Sequence, residues 1–194
     1  ELKLDHNHWI RLEGRPPNIE GKGEVTLSAL VKESLRMRPD RVVVGEIRDG
    51  NAAMDMLQAM NTGHEGSMGT VHANSPRDCF TRIDGMVAIA GMKIDQQAVY
   101  SQIASALDLI VYQTRMRDGT RAVTQIAEIT GMEGNVISMQ DVFMRPADAV
   151  GASVPLRPAG LIPNCYQRII DSGQTLERGM FLKDDEVGSA TRWR

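Results

Sequence analysis

The stretch from residue 41 to residue 73 restricts the fold more than any other part of the chain. RVVVGEIRDG, residues 41–50, is a continuous apolar run closed by charges, the pattern of a parallel strand buried on both faces. Residues 51–61 then place Ala53, Met56, Leu57 and Met60 on one helical face, and Gly63 follows as a stop signal. Residues 67–73 read as a second strand. Parallel strands need a crossover, commonly a helix, so this stretch has the order and length of a βαβ unit and the chain is expected to be α/β.

The flanks add elements of both kinds. Residues 2–4 and 9–12 alternate and read as strands, and GRPPNIEGKGE after them reads as a loop. Thr26 is placed to cap a helix whose Leu27, Leu30, Val31 and Leu35 share a face and which stops before Pro39. Ser75 and Pro76 open a helix to about residue 90 that would bury Cys79, Phe80, Ile83, Met86, Val87 and Ala90. Another helix, about 95–107, would bury Val99, Ile103, Ala106 and Leu107. Residues 109–114, 122–129 and 136–143 read as a β-meander, followed by a Pro/Gly/Ala-rich stretch and a short helix near 164–171.

Charge and cysteine usage exclude some classes. The chain has 194 residues, with 22 Lys and Arg against 25 Asp and Glu, a net charge of −3, and no long run of one sign. A dedicated nucleic-acid binder would show a basic excess, so no nucleic-acid partner is expected. Cys79 and Cys165 lack ligand spacing, which favours a reducing cytosol. The longest apolar run, residues 86–92, is about a third of the roughly 20 residues a membrane-spanning helix needs, so no transmembrane segment is expected. The chain begins without Met and already in an apparent strand, which points to a piece of a longer protein.

In an open parallel sheet, side chains at the C-terminal strand ends face a ligand crevice. Glu46 and His72 occupy those ends. Glu46 could hold the hydration shell of Mg²⁺ or polarise a water attacking a γ-phosphate; alternatively it pairs with Arg41 or Arg48. His72 could donate to a phosphate or orient a water; alternatively it is satisfied by Asn74 or Thr70. A zinc site in TGHEGSMGTVHANS is disfavoured: His64-Glu65 starts like HExxH, but the next histidine is eight residues on, and Gly63, Gly66 and Gly69 oppose a helix carrying both. EGKGE contains Gly21-Lys22 without the spacing or the hydroxyl of G-x-x-x-x-G-K-[ST], so these residues hold no P-loop. Among the arginines around the βαβ unit, Arg11 and Arg15 flank a Gly/Pro turn and are candidates for phosphate contact across a subunit interface, with Arg48 a further one.

Taken together, RLEGRPPNIEGKGEVTLSALVKESLRMRPDRVVVGEIRDGNAAMDMLQAMNTGHEGSMGTVHANSPRD resembles the ATPases of type II/type IV secretion systems and type IV pili, and within them the CpaF-type tight-adherence (Flp) pilus assembly ATPases. The resemblance implies a partial RecA-like core over residues 1–145, with residues 146–194 as a helical and irregular appendage. It identifies RVVVGEIRD with the Walker B element and Glu46 with its acidic residue. GHEGSMGTVHANS is similar to the His box, which places His72 near the γ-phosphate, His64 in the opening turn, and Thr70 and Asn74 along the same strand. The initial EL resembles the end of the acidic Asp box, matching Glu1 to a glutamate that acts on the attacking water. Arg11 and Arg15 match arginines that reach a phosphate of a neighbouring subunit.

The family implies ATP and Mg²⁺, a hexameric ring, inner-membrane platform partners, and a cytoplasmic location peripheral to a bacterial inner membrane. Its Walker A loop is expected upstream of Glu1, so the fragment alone is expected to hydrolyse little ATP. Competing readings are a RecA-like ring motor that moves nucleic acid, a non-catalytic ring assembly module, and a metallohydrolase.

Overall fold

Helix boundaries in the first half of the chain follow caps written into the sequence. In the computed structural model, which describes residues 2–183, helix α1 runs Leu27–Leu35 and Thr26 Oγ1 accepts from the Ala29 N–H at 3.1 Å. Helix α2, Gly50–Asn61, is capped by Asp49, whose Oδ1 accepts from the Ala52 N–H at 2.9 Å. Ser75 Oγ accepts from the Asp78 N–H as α3, Asp78–Ile89, begins, and Asp95 accepts from the Ala98 N–H ahead of α4, Gln96–Ala106. Each cap satisfies an amide that has no partner inside its helix, a contribution of about 1 kcal/mol.

Between α1 and α3 lies the expected βαβ unit. Strand β1, Val43–Val44, pairs in parallel with β2, Met68–Gly69, with Val43 opposite Met68 and Val44 opposite Gly69. The strands are much shorter than residues 41–50 and 67–73. Pairing reaches past them through Met68 N–H to the Val42 carbonyl (3.0 Å) and Ile47 N–H to the Thr70 carbonyl (2.9 Å). At Gly45 the carbonyl is met instead by the Thr70 hydroxyl, which donates at 2.6 Å.

Helix α2 is buried over more of its surface than one face. Ala52, Ala53, Met54, Met56, Leu57 and Ala59 are all buried, because α1, α3 and α4 all pack on it. Val31, Val42, Val44 and Met56 form a core cluster flanked by Leu27, Leu35, Ile47 and Met60. Gly50 lets α2 start hard against α3: a β-carbon there would lie 2.7 Å from the Val87 Cα and closer still to the Met86 carbonyl. Helix α3 buries Phe80, Ile83, Met86 and Val87 as its spacing predicts, and Cys79 is half-buried. Ala90 corrects the expectation: it lies past the last helical residue and is exposed. Val99 and Ile103 of α4 are completely buried.

Residues 2–4 and 9–12 form no strand, a second correction. Their alternation is real, but no strand among the described residues lies alongside to pair with them, and Leu4, Ile10 and Leu12 are exposed. The loop after them is closed by a single antiparallel bridge between Arg15 and Val25.

The chain divides into two compact units, Glu1–Ala106 and Leu107–Arg194. The second is built on the expected antiparallel meander, β3 (Leu109–Arg115), β4 (Arg121–Glu133) and β5 (Val136–Met144). A two-residue strand β6, Arg157–Pro158, adds to β5 at the sheet edge, where a proline's missing N–H is tolerated. Helix α5, Cys165–Asp171, and a 3₁₀ turn, Arg178–Phe181, follow, with Phe181 buried against Phe143 and Tyr166 at ring separations of 5.6 and 5.9 Å. Both cysteines are free thiols, and no helix among the described residues is long and apolar enough to cross a membrane.

Glu128 on β4 is 2 % exposed and was not singled out by sequence. Its carboxylate accepts from the Asn164 N–H and the Cys165 N–H, both at 3.0 Å, and from Gln140 Nε2 at 2.9 Å, so β4 holds the start of α5. Truncating it strands two backbone donors and an amide. Glu128→Ala is therefore expected to destabilise the fold by about 2–4 kcal/mol, with faster amide exchange at Asn164 and Cys165; unchanged exchange there would remove this anchoring role. Gly50→Ala is expected to cost about 1–3 kcal/mol in urea unfolding, because the obstruction is backbone rather than a movable side chain.

Candidate functional site

Parallel register brings the two predicted residues together. With Val44 opposite Gly69, Glu46 lies two residues beyond its strand and His72 three beyond its own, so both leave the pair at the C-terminal end. Glu46 Oε1 lies 3.0 Å from His72 Nε2, and Oε2 accepts a hydrogen bond from Arg48. The Glu46 side chain is 21 % exposed, while His72 is 86 % and Arg48 77 % exposed. A recessed carboxylate thus stands beneath two nitrogen-bearing groups open to solvent.

The Arg48 hydrogen bond is the largest influence on Glu46 and holds its carboxyl below the ordinary glutamate range. Partial desolvation opposes it, and the charges of Arg48 and His72 act in the same lowering direction. A depressed carboxyl stabilises the fold above the ordinary glutamate range, and that contribution is lost as pH falls through the depressed value.

Both simple alternatives for these residues prove incomplete. Glu46 does pair with Arg48, yet its other oxygen meets His72; His72 is partnered by Glu46 rather than by Asn74 or Thr70. Thr70 instead braces the strand pair through the Gly45 carbonyl. Asn74 donates its N–H (2.8 Å) and Nδ2 (3.0 Å) to Asp78 Oδ2 at the start of α3. His64 stands apart, with Nδ1 3.1 Å from the Ala59 carbonyl near the end of α2. Arg15 Nε donates to the Gly23 carbonyl at 2.8 Å, and Arg11 is exposed; among the described residues neither is bonded to Glu46 or His72. Glu1 lies outside the described residues.

The sequence offered Arg48 both as an interface arginine and, with Arg41, as an alternative partner of Glu46; the pair with Arg48 forms. The signal is local: residues 46 and 48 share one side of an extended chain. No group of three or more His, Cys, Asp or Glu side chains among the described residues is arranged to hold a metal ion. The site offers one carboxylate, suited to a hydrated hard cation, and two donors suited to phosphate oxygens.

Comparison with known proteins bears on which chemistry this is. A family model described as "Type II/IV secretion system protein" matches residues 1–152. A Mycobacterium tuberculosis (strain H37Rv) protein provisionally named for conjugal transfer is 46 % identical over 136 residues, covering 70 % of this chain and 38 % of that protein. The VirB11 protein of Agrobacterium fabrum is 37 % identical over 113 residues, 57 % of this chain and 32 % of its own length. Among solved structures, the VirB11 ATPase of the Brucella suis type IV secretion system, in complex with sulphate, aligns with a TM-score of 0.48 at 29 % identity, covering 53 % of this chain and 31 % of that one. The chain therefore spans less than two fifths of the length of these relatives.

Replacing Arg48 by Gln is expected to move the Glu46 carboxyl back up toward the ordinary glutamate range in a carbon-detected NMR titration. No upward movement would show that Arg48 does not hold it.

Proposed function

This chain belongs to the type II/IV secretion system protein family, and from that premise we propose that it is the C-terminal part of an ATPase that powers secretion or pilus assembly. The contact between Glu46 and His72 at the paired strand ends carries the proposal. An acid beside an imidazole at paired parallel strand ends supports this reading, because open parallel sheets bind ligands there.

The residues present fit one side of a Mg²⁺–ATP site. Glu46 would hold the hydration shell of Mg²⁺, which supplies charge neutralisation to the phosphates when bound. His72 Nε2 and the Arg48 guanidinium would turn from Glu46 to phosphate oxygens, with Thr70 keeping the strand ends in register and Asn74 linking the His72 strand to α3. His64 would steady the end of α2. Arg11 and Arg15 would reach a nucleotide bound to a neighbouring subunit, and Glu1 would act on the attacking water. The 194 residues contain no G-x-x-x-x-G-K-[ST] sequence, so the phosphate cradle is assigned to residues outside them.

In this reading residues 1–145 belong to a RecA-like core and 146–194 to an appendage. The complete protein would form a hexameric ring on the cytoplasmic side of a bacterial inner membrane, engaging a membrane platform. The motif sequence supports the tight-adherence branch. A non-catalytic ring module remains a second reading, favoured by the engagement of both Glu46 oxygens.

ATP turnover by the complete protein decides between them. Glu46→Gln and His72→Ala are each expected to lower kcat by roughly 100-fold. Unchanged turnover in both variants would sink the assignment, and an inactive wild-type ring would favour the non-catalytic module.

A further inference from the structure

Five arginines gather at one end of the antiparallel sheet, in residues unrelated to Glu46 and His72. Arg115 closes β3 opposite Arg121 of β4, Arg117 lies in the turn between them, Arg145 follows β5, and Arg157 of β6 pairs with Met144. Among the described residues none of the five forms an ion pair with a carboxylate, whereas Arg36, Arg48 and Arg168 each do.

Among the described residues, the segments joining these strands at that end carry two acids, Asp118 and Asp148. Asp118 is already engaged: its Oδ1 accepts from the Thr120 hydroxyl at 2.6 Å and the Thr120 N–H at 3.0 Å. Asp148 is exposed. Among the described residues, five arginines against two aspartates leave an excess of three positive charges here, on a chain whose net charge is −3.

Arg145 fixes the shape of this end. Its Nε and Nη2 donate to the Val123 carbonyl at 3.1 and 3.0 Å, and Nη1 donates to the carbonyls of Gly151 and Ala152 at 3.4 and 3.3 Å. The half-buried guanidinium is thereby hydrogen-bonded but not neutralised. An open cavity of about 260 Å³ lies beside it, lined in part by Thr114, Arg115, Arg117, Thr124 and Arg145. Of the Arg115 nitrogens, Nε donates to the Gly119 carbonyl at 3.2 Å, and Arg117 is exposed. The cavity thus combines a fixed cation, two arginine forks able to swing in, and two threonine hydroxyls.

We propose that this cavity binds a phosphate-bearing anion. Planar guanidinium forks match tetrahedral oxyanions in pairs of hydrogen bonds, and a doubly charged phosphate suits an excess of three positive charges better than a single carboxylate does. The phosphate could belong to a soluble molecule or to a lipid headgroup, and the chemistry of recognition is the same.

The test uses the 194-residue chain, pyrophosphate by isothermal titration calorimetry, and co-sedimentation with phosphatidylglycerol or phosphatidylcholine vesicles at low salt. Arg115→Gln with Arg117→Gln removes the two swinging forks and leaves Arg145 and its carbonyl contacts in place; circular dichroism melting checks that the fold is kept. Binding of pyrophosphate is expected, weakened at least roughly tenfold in the double variant. Retention on phosphatidylglycerol but not phosphatidylcholine vesicles, without pyrophosphate binding and lost in the double variant, would support the site with a lipid headgroup as the source. No binding of either probe, equal binding by the double variant, or succinate binding as tightly as pyrophosphate would overturn it.

Discussion

A parallel pairing only two residues long, between β1 and β2, decides where the reactive groups of the first unit meet. Parallel strands cannot be joined by a tight turn, so α2 must cross over and bring the chain back in register. It does so because Asp49 starts the helix, Gly50 lets its first turn lie on the backbone of α3, and Met56 fills the core under β1. Shift that register by one residue and His72 leaves Glu46. The Thr70 hydroxyl and the Ile47 amide extend the pairing toward the site, so the last hydrogen bonds of the sheet are also the first supports of the carboxylate.

Electrostatics then gives the site its character. Glu46 is recessed between two nitrogen-bearing groups that are themselves open to solvent, and each occupies one of its oxygens. On the proposed reading, phosphate and Glu46 compete for His72 and Arg48, so release of the carboxylate is tied to occupancy of the site. The second unit uses a carboxylate in the opposite way. Glu128 is buried, takes three hydrogen bonds, and serves to hold α5.

Helical periodicity and the caps Thr26 and Ser75 were legible because both are local, within a few residues of the amides they satisfy; Asp49 and Asp95 cap their helices just as locally but were not singled out in the sequence. The meander was legible for a similar reason, since its turns are short. Strand extent was not, because a strand is as long as its neighbour allows; residues 2–4 and 9–12 alternate correctly and still pair with nothing among the described residues. Glu128 was invisible for a related reason. Flanked by Ala127 and Ile129 it reads as the solvent-facing member of an alternating strand, and the backbone amides that explain it are 36 and 37 residues away. At the site, topology alone placed Glu46 and His72 at one edge, but their direct contact depends on side-chain conformations that spacing does not encode.

The histidine itself offers the sharpest test. In the complete protein, nitrogen-15 NMR of the His72 imidazole can be followed as Mg²⁺ and a non-hydrolysable ATP analogue are added. A phosphate-facing His72 must exchange its Glu46 partner for a phosphate oxygen, so the Nε2 resonance is expected to move on addition and to stop moving in Glu46→Gln only if that carboxylate is needed to hold the metal. An Nε2 resonance that stays fixed while the analogue is demonstrably bound would contradict the assignment of this site to the nucleotide.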